Sequence, residues 1–216
     1  MTLAYPLSDP RTAPPTAALT EAFERLGVRM TYDRDEEIYA QDEEAELLYR
    51  VVRGVVRTSR VTADGRRQVG DFYYAGDVFG LEPGPDHRFA AEALTECEVQ
   101  VVRRAAMRAM AGDAEVDRAI LAATQQEMER LQDHVLMLGR KSARERVASF
   151  LMSLAAEKDG QVDLPMGRQD MADYLGLTIE TVSRMLTQLQ GEQIVEFPSS
   201  RRFHVRKWTA LEALAE

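Results

Sequence analysis

Residues 168 to 189 read R-Q-D-M-A-D-Y-L-G-L-T-I-E-T-V-S-R-M-L-T-Q-L, and no other stretch limits the possible folds of this chain as tightly. Met171, Ala172 and Leu175 fall on one helical face. Val182, Met185, Leu186 and Leu189 recur at i, i+3, i+4 and i+7, the buried stripe of a second helix. Gly176 between them supplies a tight turn, and Thr178 can cap the helix that follows. Two helices joined by three or four residues containing glycine form a helix-turn-helix. The small Ala172 lets the helices cross closely, and Val182 and Met185 lock the second on the first. Ala, Gly, Val and Met at relative positions 1, 5, 11 and 14 say more than a lone glycine turn, the alternative being an ordinary helical hairpin inside a core.

The outward face of the second helix carries Ile179, Glu180, Ser183, Arg184 and Thr187. At about 100° per residue these occupy one arc of roughly 140°. A merely solvated face is more often an unordered mix of Lys, Glu and Gln. In a helix-turn-helix the N-terminal part of the second helix enters the major groove. There Arg184 can bond guanine O6 and N7, Glu180 can accept from cytosine N4, and Ile179 can touch a thymine methyl. Ser183 suits a base edge, while Thr178 and Thr187 are expected at phosphates. Glu180 and Arg184 are i, i+4 neighbours, so the acid is expected to orient the arginine. The next stretch, Q-I-V-E-F-P-S-S-R-R-F-H-V-R-K, alternates apolar and polar residues about Pro-Ser-Ser. It predicts a β-hairpin wing, with Arg201 and Arg202 on phosphates and Arg206 and Lys207 near the DNA backbone.

Upstream the pattern changes. Residues 1–15 hold four prolines and few large apolar groups, which predicts a disordered arm. A short helix is expected over 16–27, with Leu19, Phe23 and Leu26 inward and Gly27 as its stop. From Val28 to Val102 short β-branched runs alternate with turns, among them Ala63-Asp64-Gly65-Arg66, where Asp-Gly accepts a positive φ. No long helix intervenes, so an antiparallel barrel or roll is predicted rather than a βαβ fold. A short helix at 104–111 precedes a long one, in which Leu121, Thr124, Met128, Leu131, Val135 and Leu138 are spaced 3-4-3-4-3. That is a heptad seam with polar flanks (Gln125, Glu127, Glu129, Gln132), expected to meet a partner helix, although a helix packed on its own domain would share the spacing. Gly139 is expected to break the helix and to mark the hinge. A further helix follows over 142–156, with Val147, Phe150, Leu151 and Leu154 inward.

Charge supports the same division. The chain of 216 residues carries a net charge of −9, yet from Gly139 onward 11 basic and 11 acidic residues balance. The first 138 residues hold the whole excess, 16 basic against 25 acidic. An acidic front and a neutral back with local basic clusters predict two domains with different work. The expected organisation is a disordered arm (1–15), a β-roll (16–112), a dimerisation helix (113–138) and a winged helix-turn-helix domain (139–216).

Several function classes drop out. No run of about 18 apolar residues exists, and the N-terminus has no basic region followed by an apolar one, so neither a membrane span nor a secretory signal is expected. The single Cys97 permits no intrachain disulfide and no cysteine-ligated zinc ribbon or iron–sulfur cluster, consistent with a reducing cytoplasm. It begins C-E-V-Q-V-V and reads as a buried inert thiol. His87, His134 and His204 are scattered, and Asp86-His87 alone is no metal site. No nucleophile–base pair or glycine-rich phosphate loop points to an enzyme, and no cofactor or metal is expected.

Taken together, the acidic β-rich front with D-V-F-G, the heptad helix, and L-P-M-G-R-Q-D-M-A-D-Y-L-G-L-T-I-E-T-V-S-R-M-L resemble the CRP/FNR superfamily of transcription regulators. E-T-V-S-R and the preceding L-P-M-x-R-x-D-x-x-D-Y-L-G-L-T are similar to its FixK-type branch. The resemblance implies an α+β chain: an antiparallel β-roll like a cyclic-nucleotide-binding domain, a long dimerisation helix and a winged helix-turn-helix. It implies a homodimeric regulator, expected to be an activator. Such a regulator reads a TTGAT-N4-ATCAA-like palindrome in double-stranded DNA, with RNA polymerase as a further partner. Its base-reading positions fall on Glu180, Ser183 and Arg184, with Ile179 beside them.

The sensing residues of the superfamily are missing. Cyclic-nucleotide sensors show Gly-Glu after the D-x-x-G turn and then Arg-Ser/Thr-Ala. Here the chain reads Gly80-Leu81-Glu82-Pro83-Gly84, and later Arg88-Phe89-Ala90. The arm lacks the cysteine cluster of FNR itself, and Gly167 stands where some FixK-type proteins carry a cysteine. Regulation without cyclic nucleotide is therefore expected. The rival readings are a ligand- or haem-gated regulator of the same architecture and a cyclic-nucleotide-binding module that does not touch DNA.

Overall fold

Side-chain alternation over the front of the chain and helical stripes over the back sort the secondary structure. The computed structural model describes residues 17–82, 84–111, 113–155 and 161–216, and the expected arm over 1–15 lies outside them. α1 (Ala17–Leu26) leads into β1 (Val28–Tyr32), β2 (Glu37–Tyr39), β3 (Leu47–Arg53), β4 (Val56–Val61), β5 (Arg67–Tyr73), β6 (Val78–Phe79), β7 (Ala90–Ala93) and β8 (Cys97–Arg103). α2 (Arg104–Ala111), α3 (Asp113–Arg140) and α4 (Ala143–Ala155) follow. β9 (Gln161–Asp163), α5 (Arg168–Leu175), α6 (Ile179–Gly191), β10 (Val195–Ser199), β11 (Arg202–Val205) and α7 (Trp208–Ala215) complete the order. Two compact units meet inside α3, between Glu129 and Arg130.

The first unit is an antiparallel roll. One sheet has the order β1-β8-β3-β6 and the other β2-β7-β4-β5. A single buried cluster takes a side chain from every one of these strands, including Tyr39, Tyr49, Tyr73 and Phe79. The ring centroids of Tyr39 and Tyr49, and of Tyr49 and Phe79, lie 5.0 Å apart, a spacing at which offset and tilted rings attract. Strand alternation sends Leu48, Val78 and Val102 into a second buried cluster. There they meet Leu19 and Phe23 of α1, Met107 of α2, and Val116, Ala119 and Ala123 of α3. The Asp64-Gly65 turn joins β4 to β5, with Gly65 at φ +81 and the Thr62 amide donating to the Arg66 carbonyl at 2.9 Å.

The second unit holds the end of α3, helices α4 to α7 and a small sheet of order β10-β11-β9. Two local expectations change. Gly139 does not break α3, which runs on to Arg140. One glycine costs a helix only about 1 kcal/mol, and the break falls at Lys141-Ser142 instead. Pro-Ser-Ser is not the wing turn either: β10 runs through Pro198 to Ser199, and Ser199 pairs with Arg202, leaving Ser200-Arg201 as the turn. Proline is tolerated because β10 is an edge strand, where a missing N–H breaks no ladder.

Candidate nucleic-acid interface

The two helices of the motif are set by their ends. At the start of α5 the Asp170 carboxylate accepts the Gly167 amide at 3.0 Å. At its end Gly176 adopts the left-handed conformation, φ 62 and ψ 41, and its amide donates to the Ala172 carbonyl. Only glycine takes that conformation without strain. Thr178 then caps α6, its hydroxyl accepting from the Thr181 amide at 3.3 Å. Met171, Ala172, Leu175, Val182, Leu186 and Leu189 are buried between the helices and their support, and Met185 is half-buried.

The opposite arc of α6 is open. Ile179, Glu180, Arg184 and Thr187 are exposed and Ser183 is half-buried. Among the described residues no ion pair joins Glu180 to Arg184, so the expected orientation of one by the other does not occur. Its own amide and the Thr178 hydroxyl hold the Glu180 carboxyl below the usual carboxylate range. The helix start offers free N–H groups that compete for the acid. Arg184 is left to reach outward. Arg168 Nη1 donates to Ser183 Oγ at 3.2 Å, which leaves the Ser183 proton for an external acceptor. The Thr187 hydroxyl donates to the Ser183 carbonyl at 2.9 Å.

The wing cations all have partners within the fold. Arg202 Nε lies 3.2 Å from Asp163 Oδ1, and the Arg201 guanidinium bonds the Pro165 carbonyl. Arg206 Nε donates to Glu196 at 2.6 Å and Lys207 Nζ to the Glu192 carbonyl at 2.8 Å. The two ion pairs, Arg202–Asp163 and Arg206–Glu196, are exposed; such pairs are worth about 0–1 kcal/mol, so an incoming phosphate can displace them.

Two residues outside the predicted set hold the motif in place. Arg146 of α4 donates to the carbonyls of Leu138 (2.6 Å), Lys141 (3.0 Å) and Leu175 (3.0 Å). His134 of α3 bonds the Tyr174 carbonyl through Nε2 at 2.8 Å and stacks on the Tyr174 ring at 4.1 Å. No periodicity marks either residue: Arg146 reads as one more surface charge, and His134 sits among seam residues without belonging to the stripe. Of the seam itself, Leu121, Met128, Leu131 and Val135 are exposed in the single chain. Thr124 and Leu138 are half-buried, the Thr124 hydroxyl donating to the Ile120 carbonyl at 2.8 Å.

Comparison with known proteins matches this geometry. A cyclic nucleotide-binding domain model matches residues 29–113 and a Crp-like helix-turn-helix domain model residues 145–214. The nitrogen fixation regulation protein FixK of Azorhizobium caulinodans is 47% identical over 88% of this chain and 79% of its own length. That of Rhizobium meliloti is 43% identical over 85% of each. The solved structure of FixK2 from Bradyrhizobium japonicum superimposes with a TM-score of 0.84 at 46% identity, covering 88% of this chain and 98% of that one. The chain belongs to the FixK-type branch of the CRP/FNR family of transcription regulators. Its helix-turn-helix domain marks this FixK-type protein as a DNA binder.

In the roll of this FixK-type regulator the polar side chains Glu82 and Arg104 bond within the chain. The Glu82 carboxylate accepts the Arg88 amide at 3.2 Å, and Arg104 forks onto the carbonyls of Gly80 (2.6 Å) and Glu82 (2.9 Å). Arg88 itself is exposed. The Phe89 ring lies on Gly70, where a side chain would meet it at 3.0 Å. His87 is buried and stacked on Tyr39, with ring centroids 3.7 Å apart, and burial pushes its pKa down. Cys97 is buried, its thiol donating to the Val55 carbonyl at 3.1 Å, and burial pushes its pKa up. Among the described residues no group of three His, Cys, Asp or Glu side chains could hold a metal ion, and no helix is long and apolar enough to cross a membrane.

Proposed function

We propose that this FixK-type protein is a homodimeric activator of transcription. It binds a TTGAT-N4-ATCAA-like palindrome without cyclic nucleotide, works in the cytoplasm and engages RNA polymerase. The observation that carries this reading is the open arc of α6, where Ile179, Glu180 and Arg184 stand exposed beside Ser183. Arg184 reads guanine, Glu180 accepts from cytosine N4, Ile179 packs on a thymine methyl, and Ser183 donates to a base acceptor. Thr178, Thr187, Arg201 and Arg202 take phosphates. Leu121, Thr124, Met128, Leu131, Val135 and Leu138 form the dimer seam, so residues 16–112 serve as a sensor-like roll and 139–216 as the reading domain. The Phe89 and Glu82 contacts support action without cyclic nucleotide.

The test compares wild type and Arg184→Ala, in buffer free of cyclic nucleotide, on the palindrome and on a duplex with the G·C pair changed in both halves. Wild type should prefer the palindrome, because each lost bidentate contact costs about 1–3 kcal/mol and a dimer loses two. Arg184→Ala should bind both duplexes alike. A variant that still discriminates the G·C pair as strongly as wild type refutes the assignment of Arg184.

A further inference from the structure

The structure assigns to Arg146 and His134 the task of setting the distance between the two reading helices of a dimer, and hence the half-site spacing it accepts. This rests on the two-half-site reading above. Helices leave their last carbonyls without partners, and here α3 and α5 end side by side. The Arg146 guanidinium serves both, bonding Leu138 and Lys141 at the end of α3 and Leu175 at the end of α5. A planar fork with five N–H donors can do this; a lysine ammonium is a point charge with a different geometry. His134 adds the second tie, from Nε2 to the Tyr174 carbonyl. A carbonyl only accepts, so Nε2 carries the proton, and the neutral tautomer suffices.

These ties matter because of what lies on the same helix turns. Leu131 and Val135 flank His134, and they are 47% and 68% exposed. They belong, with α5 and α6, to the compact unit that starts at Arg130. The last two turns of the seam and the reading helix therefore share one unit, and α5 hangs from α3 through Arg146 and His134. α6 follows α5 through the Gly176 turn and the buried Val182 and Leu186. Each base pair added between half-sites moves one of them by about 3.4 Å and turns it by about 35° around the duplex. A stiff attachment converts that mismatch into lost affinity, and a loosened one absorbs it.

The experiment uses the full-length protein with Arg146→Gln and His134→Phe. Binding is measured to duplexes carrying both half-sites with spacers of four, five and six base pairs, and to a four-base-pair duplex with its half-sites scrambled. Wild type should lose about tenfold or more for each altered spacer, the scale of a single mismatch. Both variants should lose less than about threefold while still rejecting the scrambled sites. Simple destabilisation lowers affinity on all spacers alike and keeps the preference; that result overturns the assignment. A wild type that rejects scrambled sites yet ignores the spacer also overturns it. A wild type that cannot tell scrambled sites apart refutes the sequence-reading proposal beneath it instead. If Arg146→Gln is unfolded by circular dichroism, the decision falls to His134→Phe, which keeps the stack and loses only the hydrogen bond.

Discussion

Asp163 stands beside the wing with 73% of its side chain exposed, and it holds Arg202 at 3.2 Å. In the proposed complex this carboxylate would work against binding twice, by occupying a cation and by repelling phosphate. Asp163→Asn should therefore tighten binding to every sequence by up to about 1 kcal/mol, the worth of one exposed ion pair, while Arg202→Ala should make the log–log dependence on salt shallower by about one, the value of one phosphate contact. A salt titration with unchanged affinity and slope would remove Arg202 from the phosphate contacts. Glu180 and Arg184 teach a related lesson. Their i, i+4 spacing permits a pair, but Glu180 lies in the first turn of α6 and is drawn to its own amide and to Thr178. The choice between two permitted partners is decided by the free N–H groups of the helix start.

At the scale of the element, α3 shows what a glycine does when nothing asks it to turn. Gly139 is helical, and a β-carbon there would meet nothing within 4 Å. Gly139→Ala should stabilise the protein by up to about 1 kcal/mol, by removing backbone freedom from the unfolded chain. DNA affinity should not change. Thermal unfolding together with a DNA titration checks both, and a loss of binding would restore Gly139 as a hinge. Gly176 is the contrasting case, since its positive φ is what lets α5 end and α6 begin. Both glycines punctuate the sequence equally. Gly139 stays helical while Gly176 takes the positive φ, and Arg146 serves the carbonyls beside both, at Leu138, Lys141 and Leu175.

At the scale of the whole molecule, the proposed dimer rests on the exposed residues of α3. Leu121, Met128, Leu131 and Val135 are 57%, 52%, 47% and 68% exposed and follow one heptad stripe. The opposite side of the same helix packs Val116, Ala119 and Ala123 into the roll. In the proposed dimer a second copy of this helix, laid along the stripe, would bury it. Leu131→Glu would place an unpaired charge in that seam, at a cost of several kcal/mol to association. Sedimentation at micromolar concentration should show a dimer for wild type and a monomer for the variant. A variant that remains a dimer would mean that the stripe is not the interface.

Periodicity and turn chemistry in the sequence alone determined the kind of most elements, though not of β9 or α7. The stripe and Gly176 of the helix-turn-helix, the Asp64-Gly65 hairpin and the heptads of α3 are local patterns, because the face a residue takes repeats with the helix or strand. What only the tertiary structure decided is the partner of each polar side chain. His134 meets a carbonyl 40 residues away, and Arg202 a carboxylate 39 residues away. The filling of the roll by Tyr39, Tyr49, Tyr73 and Phe79 was also undecided, since these rings come from four different strands. Burial is encoded by spacing along one element. Hydrogen-bond partnership depends on distances between elements, and those exist only once the chain has packed.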